Sequence, residues 1–408
     1  MDGVVAIDAL VAVLAVSLLA PVLVGLLPRL PVPQVVLLLA GGVAIGPSAL
    51  GLSSPGDVQV LADVGLGFVF LLAGYEFDLR LLRADPGRRA IGAWGISAVL
   101  ALGIATGFTA VGLVESAVPV AIGLTTTALG TLLPILREHG LLHGRFGRYL
   151  LAAGGVGELF PVVAIAVFLG TQSRFTALLS IGAVAAFAGA LAAGRHLLRE
   201  GSRLSTVVLL NQHETAQVTL RATMLLLVAL IAVTDQVHLD AVLGAFLAGM
   251  VLRHWVGASS PTLESKLDAV GYGFFVPVFF VYSGMGLDLE AIAAAPLLVL
   301  LFFGLMVAVR GLPALGVYRA VLPARQRVQT VLVSATALPV LVALAEIGQR
   351  NDLLSSADAA ALVGAGALTV LLLPALAVAI DRPAAPSAGT TGSTAASGER
   401  GVGPGTGS

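Results

Sequence analysis

Apolar runs of about twenty residues recur along this chain, and no other feature constrains its fold as tightly. In hydrocarbon every backbone N–H and C=O must be satisfied within the segment, so such runs are read as helices, and about 20 residues are needed to cross. Runs of that kind fall near 4–27, 33–51, 58–79, 90–114, 117–136, 147–170, 175–197, 218–234, 239–255, 268–287, 295–318, 328–348 and 357–380, giving about thirteen spans. Only Asp235 to Asp240 separate the eighth from the ninth. Of the 408 residues 11% are charged, less than half the roughly 25% of a soluble domain, so the soluble classes are excluded. The run from Val4 to Leu27 has no basic residues before it and no small-residue cleavage site after it, so it reads as a span and not as a signal peptide. There is no cysteine, which removes disulfides, thiolate metal sites and cysteine nucleophiles. A net charge of −1 leaves no electrostatic footprint for a nucleic-acid partner.

The loop arginines orient the spans. With the N-terminus outside, the inner loops carry Arg29; Arg80, Arg83, Arg88 and Arg89; Arg137, Arg145 and Arg148; Arg195, Arg199 and Arg203; Arg253 and Lys266; and Arg319, Arg325 and Arg327. The outer loops carry only Arg174 and Arg350. This is the positive-inside pattern, and it predicts N-terminus out and C-terminus in. After Asp381 the composition turns to Gly, Ser, Thr, Ala and Pro, so residues 382–408 are expected to form a disordered cytoplasmic tail.

The chain also echoes itself at an offset of about 209 residues. Ala40-Gly41-Gly42 returns as Ala248-Gly249-Met250, Gly65 to Phe70 as Gly273 to Phe280, Phe77-Asp78-Leu79 as Leu287-Asp288-Leu289, and Thr127-Ala128-Leu129 as Thr336-Ala337-Leu338. A transmembrane unit of 1–381 would then hold one repeat over 4–170, a linker helix over 175–197 and a second repeat over 218–380. Matching spans lie an odd number of crossings apart, so the repeats are inverted, a signature of transporters.

Charges at mid-membrane cost roughly 2.5–3.5 kcal/mol even on the mild insertion scale, so each needs a reason. Glu158 lies in Gly154-Gly155-Val156-Gly157-Glu158, where the glycines leave room for other backbones or for water. Poised between burial and a nearby cation, such a carboxylate can bind either a proton or a metal cation. Arg310, in Val307-Ala308-Val309-Arg310-Gly311, needs an acidic partner, and Glu158 is the candidate. Thr125-Thr126-Thr127 and Ser334-Ala335-Thr336 occupy repeat-equivalent positions, and Pro134 and Pro339 are expected to break their helices. Broken helices present free carbonyls and helix ends at the midplane, a setting for ion sites. Glu76 and Asp78 are expected to pair with interfacial arginines, and Glu346 and Asp288 to be solvated.

At these residues the sequence resembles the cation:proton antiporter superfamily, in its second branch of bacterial Na⁺/H⁺ and Kef-type exchangers. The segments that carry the resemblance are Gln34 to Gly51, Leu72-Ala-Gly-Tyr-Glu-Phe-Asp78, Gly244-Ala-Phe-Leu-Ala-Gly249 and Phe274 to Met285; it covers about residues 1–380. The resemblance implies an all-α fold of two inverted six-helix repeats. Two crossed broken helices would lie in a core domain that moves as an elevator against a dimerisation domain. It implies exchange of Na⁺ or K⁺ for H⁺ by a homodimer in the plasma membrane, with no cofactor and no enzymatic activity. Glu158 would be the shared proton and cation carboxylate. Thr126, Thr127 and Thr336 would line the site, supported by Thr125, Ser334, Gly157 and Arg310. Two departures stand out. Gly157-Glu158 replaces the usual Asn-Asp or Asp-Asp, and Arg310 stands where many electrogenic members have Lys; loss of the second acid favours one-for-one exchange. The short polar stretch after the spans is not expected to fold as a Kef-type nucleotide-binding domain. Two alternatives on the same fold are a non-exchanging sensor and a sodium-coupled organic anion symporter. Gly155-Val-Gly-Glu158 also resembles the motif of intramembrane aspartyl proteases, but that chemistry needs two aspartates sharing a proton, and no second acid lies at mid-depth in the preceding span.

Overall fold

The computed structural model describes residues 2–26, 33–77, 79–170, 173–193, 217–256, 261–287, 290, 293 and 295–380. Among these the chain is helical throughout: α1 Asp2–Leu26, α2 Gln34–Ile45, α3 Pro55–Glu76, α4 Leu79–Arg83, α5 Asp85–Ala110, α6 Ala117–Leu124, α7 Leu129–Glu138, α8 Gly144–Phe168 and α9 Arg174–Ala193. It continues with α10 Val218–Gln236, α11 Ala241–Val256, α12 Pro261–Val270, a π-helical turn Gly271–Phe275, α13 Val276–Met285, α14 Pro296–Val317, α15 Ala324–Ser334, α16 Pro339–Arg350 and α17 Ser356–Ala379. The expected tail over 382–408 lies outside the described residues, as do Asp78, Asp288 and most of the stretch between α9 and α10.

Among the described residues ten segments are long and apolar enough to cross a membrane. Helices α2 and α11 are apolar but shorter, and α6 and α7 are two halves of one segment. The sequence count of about thirteen therefore rests on adding these; helix length alone supports ten. The chain does turn between the eighth and ninth spans, where His238 adopts a left-handed φ of 52° and the Asp240 side chain accepts the Val242 N–H at 3.0 Å. Apolar side chains such as Val11 and Leu18 on α1, Val99 on α5, Phe175 on α9, Leu225 on α10 and Leu297 on α14 point outward and are exposed, the surface that lipid requires.

Two helices are interrupted in mid-course. The first breaks over Thr125–Ala128, between α6 and α7. Thr125 and Thr126 donate their hydroxyls to the carbonyls of Ile122 (2.8 Å) and Gly123 (2.9 Å), satisfying acceptors that the missing next turn would have used. Pro134 falls inside α7 and does not make this break. The second interruption runs over Ala335–Leu338, between α15 and α16. There Pro339 sits at the first position of α16, where its missing N–H costs nothing and its ring forbids a continuing helix. The two breaks cross. The Ala128 N–H donates to the Thr336 carbonyl at 2.8 Å, and the Thr127 N–H to the Gly157 carbonyl on α8 at 2.8 Å. Thr369 on α17 supports the second break by accepting the Ala337 N–H at 3.0 Å.

The helices sort into two bundles. In the first, α3 packs along α11 and α13, α2 along α1 and α13, and α10 along α11. In the second, α5 packs on α6, α8 and α14, while α17 packs on α14, α15 and α16. The bundles meet where α7 touches α3, α8 touches α11 and α2 touches α17.

Glycine allows the close approaches in the first bundle. A Cβ on Gly74 would overlap the Phe246 backbone, one on Gly249 the Leu71 and Tyr75 backbone, and one on Gly42 the Val281 backbone. Such small-residue contacts replace the hydrophobic drive that is missing in lipid. Gly249→Val is expected to force α3 and α11 apart and destabilise the protein by about 2–3 kcal/mol, seen as a lowered melting temperature in detergent. Gly103→Ala, where the added Cβ meets open space, should leave melting unchanged or slightly raised. Thr369→Val orphans the buried Ala337 N–H and should cost about 1–3 kcal/mol in the same measurement.

Candidate functional site

Glu158 and Arg310 are both buried to 4% exposure, at the level of the crossing. The expected pair between them is not formed. The Arg310 guanidinium donates from Nε to the Ser334 carbonyl (3.3 Å) and from Nη2 to Thr127 Oγ1 (2.9 Å) and the Ala153 carbonyl (3.5 Å). Ser334 is the last residue of α15. A cation thus meets the negative end of a half-helix, where the dipole and the free carbonyls favour it. Glu158 takes the opposite arrangement: its carboxylate accepts the backbone N–H of Leu129, the first residue of α7. An anion at a helix N-terminus is stabilised by the free N–H groups and the positive dipole end. Each buried charge is therefore held by a half-helix end of opposite sign, and neither has to neutralise the other.

Thr127 joins the parts. Its hydroxyl donates to the Ser334 carbonyl at 2.5 Å while accepting from Arg310, and its N–H is bound by Gly157. Gly157 must lack a side chain, because a Cβ there would overlap Arg310 Nη2 and Thr127 Oγ1. The structure thus brings Thr127, Gly157, Ser334 and Arg310 into one network. The hydroxyls of Thr125, Thr126 and Thr336 are spent within their own half-helices, Thr336 on the Leu332 carbonyl at 3.0 Å. Thr336 contributes its backbone carbonyl to the crossing instead.

Glu158 faces a small cavity of about 20 Å³, lined also by Ala73, Gly130, Tyr272, Phe280 and Pro339. That is room for about one water-sized particle. The cavity lies between the bundles, since Ala73 and Phe280 belong to the first and Pro339 to the second. Tyr272, on the π-helical turn, donates to the Gly130 carbonyl at 3.4 Å, and π turns are frequent at functional sites. Neither Tyr272 nor Thr369 was singled out by the sequence; the Gly271-Tyr272-Gly273 run was the available signal for the first.

A larger cavity of about 240 Å³ opens on one face of the molecule, lined among others by Leu72, Tyr75, Glu76, Arg253, Glu264 and Asp268. Leu72 is shared with the Glu158 cavity. Glu76, expected to pair with interfacial arginines, also lies beside Gly130 and within electrostatic reach of Glu158. Three acids with one arginine make this approach net negative, which concentrates cations. Across the molecule a third cavity of about 130 Å³ is lined by Tyr282, Glu346, Gln349 and Ser356. Glu346 is not solvated as expected: its side chain is 15% exposed and holds Arg350 at 2.6 Å. Among the described residues no group of three or more His, Asp and Glu side chains is placed to hold a metal ion.

Comparison with known proteins agrees with this architecture. The model of the transmembrane sodium/hydrogen exchanger family matches residues 14–379. The putative Na⁺/H⁺ antiporter YjbQ of Bacillus subtilis is 29% identical over 308 residues, covering 69% of this chain and 48% of the relative. Cation/H⁺ antiporter 18 of Arabidopsis thaliana is 26% identical over 400 residues, 92% of this chain and 49% of the relative. The chain thus spans about half the length of these curated relatives. The solved structure of the sodium proton antiporter MjNhaP1 from Methanocaldococcus jannaschii at pH 8 shares the fold, with a TM-score of 0.61 at 16% identity over 93% of this chain and 96% of that one. A multi-pass membrane protein with crossed, interrupted helices and this match over most of its length, the chain belongs to the transmembrane sodium/hydrogen exchanger family.

Proposed function

We propose that the protein exchanges a monovalent cation, Na⁺ or K⁺, for a proton, with Glu158 as the carboxylate that both occupy in turn. The observation that carries this reading is the setting of Glu158: a buried carboxylate at a half-helix N-terminus, beside a cavity of one-ion size, with the buried arginine engaged elsewhere. The helix end makes the charged form tolerable, and among the described residues no fixed cationic partner holds the carboxylate, which leaves it open to a mobile one. A hard carboxylate oxygen suits alkali cations and protons alike. One such acid in the site favours one-for-one exchange.

Alternating access is proposed to come from elevator movement of the second bundle against the first, which would carry the crossing and Glu158 past the first bundle. The glycine-packed first bundle suits the role of a fixed scaffold and, in a homodimer, of the interface between subunits. The arginine pattern supports placing the Arg253 face in the cytoplasm and the N-terminus outside; the resemblance to bacterial exchangers supports the plasma membrane as the location.

In everted vesicles with a preset pH gradient, addition of Na⁺ or K⁺ should dissipate the gradient for the parent protein. Glu158→Gln should reduce the response to that of vesicles lacking the protein, and Glu158→Asp should retain part of it. Exchange that survives Glu158→Gln would sink the carboxylate mechanism. Arg310→Met leaves the Ser334 and Ala153 carbonyls without their cation. It should lower both the exchange rate and the melting temperature, with Arg310→Lys intermediate in each.

A further inference from the structure

On the face opposite the Arg253 cavity, the two bundles are tied by side chains that the exchange mechanism does not use. Arg350, in the last turn of α16, reaches Asp63 of α3 at 3.5 Å while holding Glu346 one turn back at 2.6 Å. Glu346 in turn accepts the Tyr282 hydroxyl of α13 at 3.3 Å. Asp63 and Tyr282 belong to the first bundle, and Glu346 and Arg350 to the second. Asp240, at the turn between α10 and α11, lies within electrostatic reach of Asp63 and Arg350. We propose that Asp63, Tyr282, Glu346 and Arg350 form a clasp between the bundles, which must open before Glu158 can be reached from this face.

The geometry gives each member a part. Glu346 is mostly shielded, and it holds the arginine by the i,i+4 spacing of one helix face. The guanidinium is thereby pre-oriented toward Asp63, and the helix C-terminus favours its charge. Tyr282 makes the second cross-bundle bond to the same carboxylate. Both bonds join groups on different bundles, so sliding one bundle against the other must break them, whereas the Glu346–Arg350 bond travels with α16. The clasp borders the 130 Å³ cavity, which draws residues from both bundles and shares none with the cavity at Glu158. On the other face, by contrast, the large cavity and the Glu158 cavity share Leu72. The closed side and the side that approaches Glu158 are therefore opposite each other, as a clasp on the closed side requires. Asp63 and Arg350 are half-exposed, and an exposed pair is weak. The clasp therefore biases the two states a few-fold without locking either.

This inference rests on the proposed movement of the bundles but not on ion exchange as such, and the test separates the two. The chain contains no cysteine, so single reporters can be placed without background: Ser283→Cys in the cavity beside the clasp, and Leu142→Cys in the cavity on the Arg253 face. Labelling of purified, detergent-solubilised protein by a polar maleimide reads the opening of each face. Asp63→Asn and Tyr282→Phe should each raise labelling at Ser283→Cys by about two- to five-fold, the size that an exposed pair supports, and lower it at Leu142→Cys. Their combination should do more, and Asp63→Glu should restore the parent rates. Unchanged labelling at Ser283→Cys in all variants overturns the clasp. A rise at both reporters together marks general loosening and overturns it equally. A reciprocal change in labelling in a protein that shows no cation-driven proton flux supports the clasp and places the failure with the exchange reading.

Discussion

The crossing of the two interrupted helices is the constraint on which the rest of the structure depends. Breaking a helix in hydrocarbon strands N–H and C=O groups that water cannot reach. Here the breaks satisfy each other, as the Ala128 N–H takes the Thr336 carbonyl, and they lean on neighbours at Gly157 and Thr369. The threonine hydroxyls serve the remaining carbonyls of their own half-helices. Each break thus supplies partners for the other, in keeping with two breaks lying at one depth in the bundle.

From that crossing the electrostatics follow. Four half-helix ends meet near one point, two positive and two negative. An arginine among the carbonyls at the end of α15 and a carboxylate at the start of α7 are what such ends favour. The burden of each buried charge falls on backbone dipoles fixed by the fold. A direct ion pair would have tied the carboxylate to the arginine; separation leaves Glu158 beside its cavity, held by the Leu129 backbone N–H. The same logic explains Gly157, whose missing side chain makes room for Arg310 and Thr127 to meet.

The two bundles divide the remaining roles. The first is packed through glycine contacts between α3 and α11 and between α2 and α13, contacts that allow little sliding within it. The second is organised around α14 and α17, which buttress the interrupted helices. Polar side chains join the bundles on one face, while an acid-lined cavity runs toward Glu158 from the other.

Much of this was legible in the sequence because lipid makes strict demands. Twenty-residue apolar runs, the scarcity of charge and the paired Thr-Ala-Leu motifs led to an all-helical membrane fold with special positions near residues 127 and 336. Glu158 and Arg310 stood out because charge in an apolar run is expensive. What the sequence could not carry was who meets whom. Mid-membrane depth put Arg310 and Glu158 at one level and suggested a pair, but the crossing sends one to a helix C-terminus and the other to an N-terminus. Pro134 had the composition of a helix breaker, yet the first break is made by hydroxyls and diverted N–H groups ahead of it. The nearness of Glu76 to Glu158, Thr369, Tyr272 and the Asp63–Arg350 contact joined the picture only with the fold in hand. Their partners lie on other helices, and burial next to a partner is decided by packing, not by local composition. The sequence alone determined that this chain must be a bundle of membrane helices with a few costly polar residues; only the tertiary structure decided which helix ends and side chains stabilise each of them.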